Sequence, residues 1–455
     1  MEVEKVMAIE INSFKFPFSR LEIKDILQRS TDNFGIFIDL DRASELYLRL
    51  SLECNSILFR LEEEYGVVMS PSNKNNARLN FAKRFNLPDH MFNKNASKPW
   101  LPPSIGFDVK YVISDLLVNP EVPDEAKTVL KLYNQASKAG KGASYLKQYL
   151  DAPICAGLAF DNHRMTLVRP KWNILSTGRY SASKPSIQNI PVAFKGLITH
   201  PKGYEEIRCD SGQIEPRINF SWVIRDELII DLIKAYDDAY YGILHFCQMA
   251  PEEEAACRAD FKANFVAKEI TDELKALRKN VKTLTNAGSY GSSDLGHVNR
   301  TLADAFDRKL VKHPKRLENE ERVKELIQRG ADTFYTAFGN AIRPETNTNY
   351  DEGTNAWEGH LIRCGVNNPI QGTASDLMCF SVAEADKILK EFPRSHIGYY
   401  KHDEGMFYVH EDDMHKLQPL LSEITAYHVK DWIPIECEME IGRLPYSESY
   451  PTVLC

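Results

Sequence analysis

The sequence predicts a mixed α+β fold, helix-rich, with a few strands in its second half. Three observations predict it. From Asp41 to Gly66, Leu46, Leu48, Leu50, Leu52, Ile57, Leu58 and Leu61 recur at helical spacing. Residues 226 to about 345 are highly charged and read as mostly helical. Strand signals are confined to two places. Ile207-Arg208-Cys209 runs into Asp210. Ile397–Tyr400 and Met406–Val409 flank a tight polar tip.

Taken in order, residues 1–32 form a weakly patterned lead-in. Asp41 caps the first long helix. Helical pieces then alternate with polar loops to about Leu150. Lys138-Ala-Gly-Lys-Gly-Ala-Ser144 reads as a flexible basic loop, either plainly solvated or a contact for a nucleic-acid backbone. The basic run Arg308–Arg316 reads as a solvated face. Asn368 before Pro369 reads as a helix start, with Pro at the first helical position.

Composition narrows the classes. A chain of 455 residues, 43% of them hydrophobic, can bury more than one core. The net charge of -8 does not point to nucleic acid, but local basic grooves can coexist with an acidic surface. The nine cysteines form no Cys-x-x-Cys pair or zinc spacing, which fits reduced thiols in the cytoplasm. The charged start Met-Glu-Val-Glu-Lys is not a signal peptide, and no apolar run is long enough to span a membrane.

Four constellations carry potential chemistry. Asp210 at a strand end, with Asp403 and Glu404 at a hairpin tip, suits two-metal phosphoryl transfer, in which rigid carboxylates hold two ions about 3.5–4 Å apart. Alone, such a tip is usually a polar turn. Arg278, Lys282, Asn286 and Tyr290 lie four residues apart, so a helix aligns them in one stripe fit for a triphosphate and a base, or simply for solvent. Asn367, Gln371 and Asp376 surround Pro369; their amides can read minor-groove acceptors, and capping is the plainer role. Ser176-Thr-Gly-Arg179 through Gln188-Asn189-Ile-Pro191 is a turn-rich stretch that composition alone makes a surface loop.

In this order the motifs resemble the family A DNA polymerases, the bacterial DNA polymerase I group and its phage relatives. Thr177-Gly-Arg179 to Pro191 is similar to the stretch before motif A, and Asp210-Ser-Gly-Gln213-Ile-Glu215-Pro-Arg217 to motif A. Arg278, Lys282, Tyr290 and Gly291 resemble motif B. Arg363, Asn367 and Gln371 match the helix before motif C, and His402-Asp403-Glu404 matches motif C. The likeness spans roughly residues 35–455.

The resemblance implies a right-hand architecture. An extension of residues 1–32 would precede a thumb at 33–175. The palm would be split between 176–225 and 346–455, an antiparallel sheet backed by helices, with fingers at 226–345. It implies template-directed addition of dNTPs to a primer on DNA. Asp210 and Asp403 would bind two Mg²⁺ ions, or Mn²⁺ in their place, with the Ser211 carbonyl as an extra ligand and Glu404 in support. Arg278 and Lys282 would grip the triphosphate, and Lys282 would protonate the leaving pyrophosphate. Gln213, Asn286, Tyr290 and Tyr240 would line the nucleotide, with Glu215 as the gate against a ribose 2′-OH. Arg179, Gln188, Asn189, Arg363, Asn367, Gln371 and His402 would contact primer and template.

Departures matter too. Asn286 stands where the family has Phe or Tyr, Ser211-Gly212 replaces Tyr-Ser, and Pro216 replaces Leu. Tyr240 is the candidate for a fingers position that is often His. Asp39-Leu-Asp41 imitates an exonuclease acidic pair, but capping accounts for it better. The stretch before the thumb is too short for a 3′–5′ exonuclease, so a separate exonuclease or processivity subunit is expected, in a phage-type replicative enzyme acting in the host cytoplasm, with a repair role as the alternative. The competing readings are a single-subunit RNA polymerase, which Glu215 and Glu404 disfavour, and a non-catalytic DNA-binding homologue, which the intact Asp210, Asp403, Arg278 and Lys282 disfavour.

Overall fold

A computed structural model of the protein describes residues 18–93, 105–106, 112–289, 299–344 and 353–442. The chain divides into two compact units, one of Met1–Phe34, Pro170–Gln188 and Gly203–Gly442, the other of Gly35–Arg169, Asn189–Lys202 and Arg443–Cys455. Among the described residues no helix is long and apolar enough to cross a membrane.

The lead-in is more structured than its composition suggests. Helix α1 (Arg20–Asn33) is opened by a capping box in which the Ser19 hydroxyl accepts from the Glu22 N–H at 3.2 Å and the Glu22 carboxylate accepts from the Ser19 N–H at 2.6 Å. It belongs to the first unit and buries Ile23, Leu27 and Thr31.

In the second unit, β1 (Ile36–Asp39), β2 (Ile154–Leu158) and β3 (Arg164–Val168) form an antiparallel sheet with β3 central. Two long helices pack together beside it, α2 (Leu40–Tyr65) and α3 (Asp124–Leu150). The cap of α2 is Asp39 rather than Asp41: its fully buried carboxylate accepts from the Arg42 N–H at 3.0 Å and faces His163 Nδ1 at 3.0 Å. Asp41 sits in the first turn and binds the Arg164 guanidinium at 2.6 Å. Leu46, Leu50 and Leu61 are buried, each contributing about 1.5–3 kcal/mol, whereas Leu48 and Leu52 face water.

The stretch from Lys138 to Ser144 is a correction. It is not a loop but the interior of α3, with Ala139, Gly142 and Ala143 buried. Its small residues let the helices approach closely: a Cβ on Gly140 would lie 3.1 Å from Cys54 Sγ.

The first unit carries the hairpin β4 (Lys171–Ile174) and β5 (Tyr180–Ser183), then β6 (Tyr204–Ser211). After a helical segment come β7 (Phe334–Tyr335), β8 (Ala341–Ile342), β9 (His396–Lys401), β10 (Glu404–His410) and β11 (Cys437–Ile441). The principal sheet is antiparallel, in the order β11-β6-β10-β9. Ile207, Cys209, Met406, Phe407, Tyr408 and Val409 are fully buried in it.

Between β6 and β7 lie the short α4 (Ile214–Ile218), α5 (Ala239–Gln248) and α6 (Asp272–Ser289). An apolar cluster including Ile229, Leu232, Ile243, Val281, Leu284 and Phe306 binds this helical region together. The basic run is partly anchored rather than a solvated face. Lys309 Nζ donates to the Phe246 and Met249 carbonyls, each at 2.9 Å, and His313 Nε2 faces Asp226 at 3.2 Å.

The long helix α7 (Asn355–Leu389) corrects a second expectation. It starts at the Thr354 cap, whose hydroxyl accepts from the Trp357 N–H at 3.2 Å, and carries Pro369 in its interior. An interior proline costs about 3 kcal/mol. Buried Ile370, Leu377 and Met378 around it outweigh that cost.

Candidate active site

The acidic residues converge because of sheet register. On β6, Asp210 is paired with Glu404 of β10 on one side and with Glu438 of β11 on the other. Asp403 occupies the two-residue turn between β9 and β10, entered through His402 in the left-handed conformation (φ 57°). The Ser211 N–H donates to the Asp403 carbonyl at 2.9 Å, so the backbones carrying the two aspartates are bonded directly. Glu404 lies on the strand rather than in the turn, held by the Tyr399 hydroxyl at 2.9 Å. The Ser211 hydroxyl points into the core, donating to the Thr425 carbonyl at 3.0 Å, so only its backbone could serve a metal.

Burial and then the charges of Asp403, Glu404 and Glu438 push the Asp210 carboxyl up to about 7. Burial also raises Asp403, and the Arg179 and Lys282 charges oppose that rise. Desolvation, then Arg179 and Lys401, lowers His402 to about 4. Crowded, repelling carboxylate oxygens are a donor set suited to a hard divalent cation such as Mg²⁺. Among the described residues no three His, Cys, Asp or Glu side chains already stand as a ligand cluster.

The cationic stripe lies on α6. Its opposite face buries Val281 and Leu284, leaving Lys282 and Asn286 exposed and Arg278 half-buried. The Arg278 guanidinium lies 5.2 Å from the Tyr240 ring centroid and Lys282 Nζ lies 5.9 Å from it, which places Tyr240 beside both cations. Tyr290 falls outside the described residues. Gln213, left-handed at φ 54°, turns the chain from β6 into α4, with Glu215 in the first turn. Glu215 is ion-paired with Arg179.

Arg179 sits in a loop that α1 and α7 brace. Arg20 of α1 bonds the fully buried Asp376 of α7 at 2.8 Å, and the Ser375 hydroxyl donates to the Gly178 carbonyl at 2.8 Å. Gly178 is required here: its φ is +79°, and a Cβ would fall 2.1 Å from the Arg20 guanidinium carbon. Gln188 is buried, its amide bonding the Ala182 N–H and the Tyr180 and Tyr400 carbonyls. These bonds shape the loop, and Gln188 lines a small cavity together with Arg179 and His402. Asn189 belongs to the second unit. Arg363, Asn367 and Gln371 follow one another at four-residue steps along α7, the last two buried.

Two residues that sequence reasoning missed join the site. Glu438 comes in on β11, a short strand whose alternating glutamates hide its pairing. Asp238 caps α5 and binds Arg278, with no sequence signal beyond Asp preceding a helix.

The family model described as DNA polymerase family A matches residues 159–446. The chain is 26% identical over 288 residues to DNA polymerase I of Pseudomonas aeruginosa, covering 59% of this chain and 28% of that protein. It is 25% identical over 300 residues to DNA polymerase I of Bacillus subtilis, covering 62% and 31%. It thus spans about three-tenths of the length of these curated relatives. A solved structure, the POL domain of Pol1 from M. smegmatis in complex with DNA primer-template and dNTP, aligns with a TM-score of 0.71 and 18% identity, covering 95% of this chain and 71% of that one. That likeness is one of fold, a mixed helical and antiparallel-sheet architecture. With the family model matching well over half its length, the chain belongs to DNA polymerase family A.

Proposed function

We propose that this chain is a DNA-dependent DNA polymerase that extends a primer 3′-OH with dNTPs by two-metal phosphoryl transfer. The observation that carries the reading is the meeting of Asp210 and Asp403 at one end of the sheet with Lys282 and Arg179, whose charges act on Asp403. Primer-template and dNTP are the ligands named for the M. smegmatis relative, and the same pair is proposed here.

Asp210 and Asp403 would hold two Mg²⁺ ions, with the Ser211 carbonyl as a further donor. Bound there, the ions supply activation of the primer hydroxyl and neutralisation of the departing charge. Arg278 and Lys282 bind the triphosphate, and Lys282 gives its proton to the leaving pyrophosphate oxygen. The Tyr240 ring lies beside both cations and offers each a cation–π contact. Glu215 fills the space a ribose 2′-OH needs. Arg179, Asn189, Arg363, Asn367, Gln371 and His402 serve primer and template, with Gln188 holding the loop. Positioning and charge neutralisation supply the catalysis.

Primer extension tests this. With Mg²⁺ and dNTPs the protein extends a primed template, Asp403→Ala abolishes extension, and rNTPs alone do not support it. Extension with rNTPs alone would indicate an RNA polymerase, and no extension by the unsubstituted protein would indicate a missing subunit or a binding module.

A further inference from the structure

Arg278 is held by a part-buried knot of hydrogen bonds centred on Asp238. Asp238 Oδ2 accepts from Arg278 Nε at 3.0 Å and from Nη2 at 2.5 Å. The same oxygen accepts from Gln213 Nε2 at 2.8 Å, while Oδ1 accepts from the Tyr241 N–H at 2.8 Å and caps α5. Gln213 Oε1 completes the knot by accepting from the Ala239 N–H at 2.5 Å. One carboxylate therefore ties together three segments, namely the turn that follows Asp210, the start of α5, and α6.

The grip on one carboxylate oxygen holds the guanidinium carbon beside two rings, 5.2 Å from the Tyr240 centroid and 5.3 Å from that of Tyr241. A guanidinium has five N–H donors, and Nε together with one Nη2 hydrogen is spent here, so the Nη1 edge stays available to an anion. Arg278 is about a quarter exposed and Asp238 less, so the pair is shielded from much solvent screening.

We propose that Asp238 is a positioning residue for nucleotide binding. It holds Arg278 with its open edge set for the triphosphate, and through Gln213 ties that arginine to the strand carrying Asp210. The inference rests on the polymerase reading of Arg278.

The test is single-nucleotide incorporation at varied dNTP and varied primer-template. Asp238→Asn and Asp238→Ser both keep a good helix cap and lose the charge that orients Arg278. Each is expected to raise KM for dNTP by about tenfold, the scale of one charge-assisted hydrogen bond, with KM for primer-template unchanged. On an Arg278→Ala background the same substitutions should add nothing. An unchanged KM for dNTP in a folded variant would overturn the role of Asp238, as would the full increase persisting without Arg278. A merely structural role would lower the melting temperature and the active fraction without moving KM. If Arg278→Ala alone leaves KM for dNTP unchanged, the polymerase reading of that arginine fails, whatever Asp238 does.

Discussion

Arg179 and Glu215 are partners: the arginine in the loop before β5 is ion-paired with the carboxylate in the first turn of α4. A glutamate proposed to exclude a 2′-OH thus acts from a fixed place and not as a mobile surface chain, since Arg179 holds one of its oxygens. Glu215→Ala is expected to raise rNTP use relative to dNTP use by roughly tenfold or more. Competing incorporation of the two nucleotides measures it, and an unchanged ratio removes Glu215 from sugar selection.

Asp210 should be a residue whose removal stabilises the protein while ending its activity. Burial and three neighbouring carboxylates disfavour its charge. In metal-free buffer at pH 8, Asp210→Asn is expected to gain up to about 4 kcal/mol of stability, at about 1.4 kcal/mol per pKa unit. Thermal denaturation with a chelator present checks this, with primer extension as the companion assay. A lower melting temperature for the variant would contradict it.

Arg20 should matter well beyond its place near the start of the described chain. Removing it strands the Asp376 carboxylate, which is fully buried. Arg20→Ala should cost about 3–5 kcal/mol, and adding Asp376→Asn should recover part of that. Denaturant midpoints of the two single variants and the double variant decide it.

Acid should weaken the fold through His396. Burial lowers its pKa to about 4, and its ring stacks on Phe34 at 4.2 Å. The folded state holds the ring neutral where the unfolded chain, with a pKa near 6.5, takes up a proton. Stability is therefore fully present above about 6.5 and is lost as pH falls toward 4, by about 3 kcal/mol. His396→Phe should flatten the fall in melting temperature between pH 7 and 5.

Helix packing at Gly140 can be tested separately. Gly140→Val drives a side chain into Cys54 Sγ and should cost about 1–3 kcal/mol. Cys54→Ala in the same chain should restore part of it, as equilibrium unfolding would show.

What was legible in the sequence follows from how local each signal is. Asp210 ending a strand and Asp403 in a hairpin turn could be read from alternation and turn chemistry confined to a few residues. The stripe of Arg278, Lys282 and Asn286 followed from helical period alone. The Lys138–Ser144 stretch reads as a loop because Gly140 answers to Cys54 of α2, a partner far away in sequence. Pro369 looked like a helix start because its tolerance inside α7 comes from tertiary burial. Asp238 and Glu438 reach the site only through long-range pairing, which no short window of sequence displays.

The strand order has a consequence for how the chain is made. Asp210 and its neighbour Glu404 lie about 200 residues apart, and Glu438 is further still. During synthesis β6 emerges with both edges open, and it stays so until the helical region and then β10 and β11 have left the ribosome. Strand β6, which carries Asp210, is thus exposed to pairing with the wrong chain. A polypeptide that stops within the helical region would be an aggregating fragment, not a partly active enzyme.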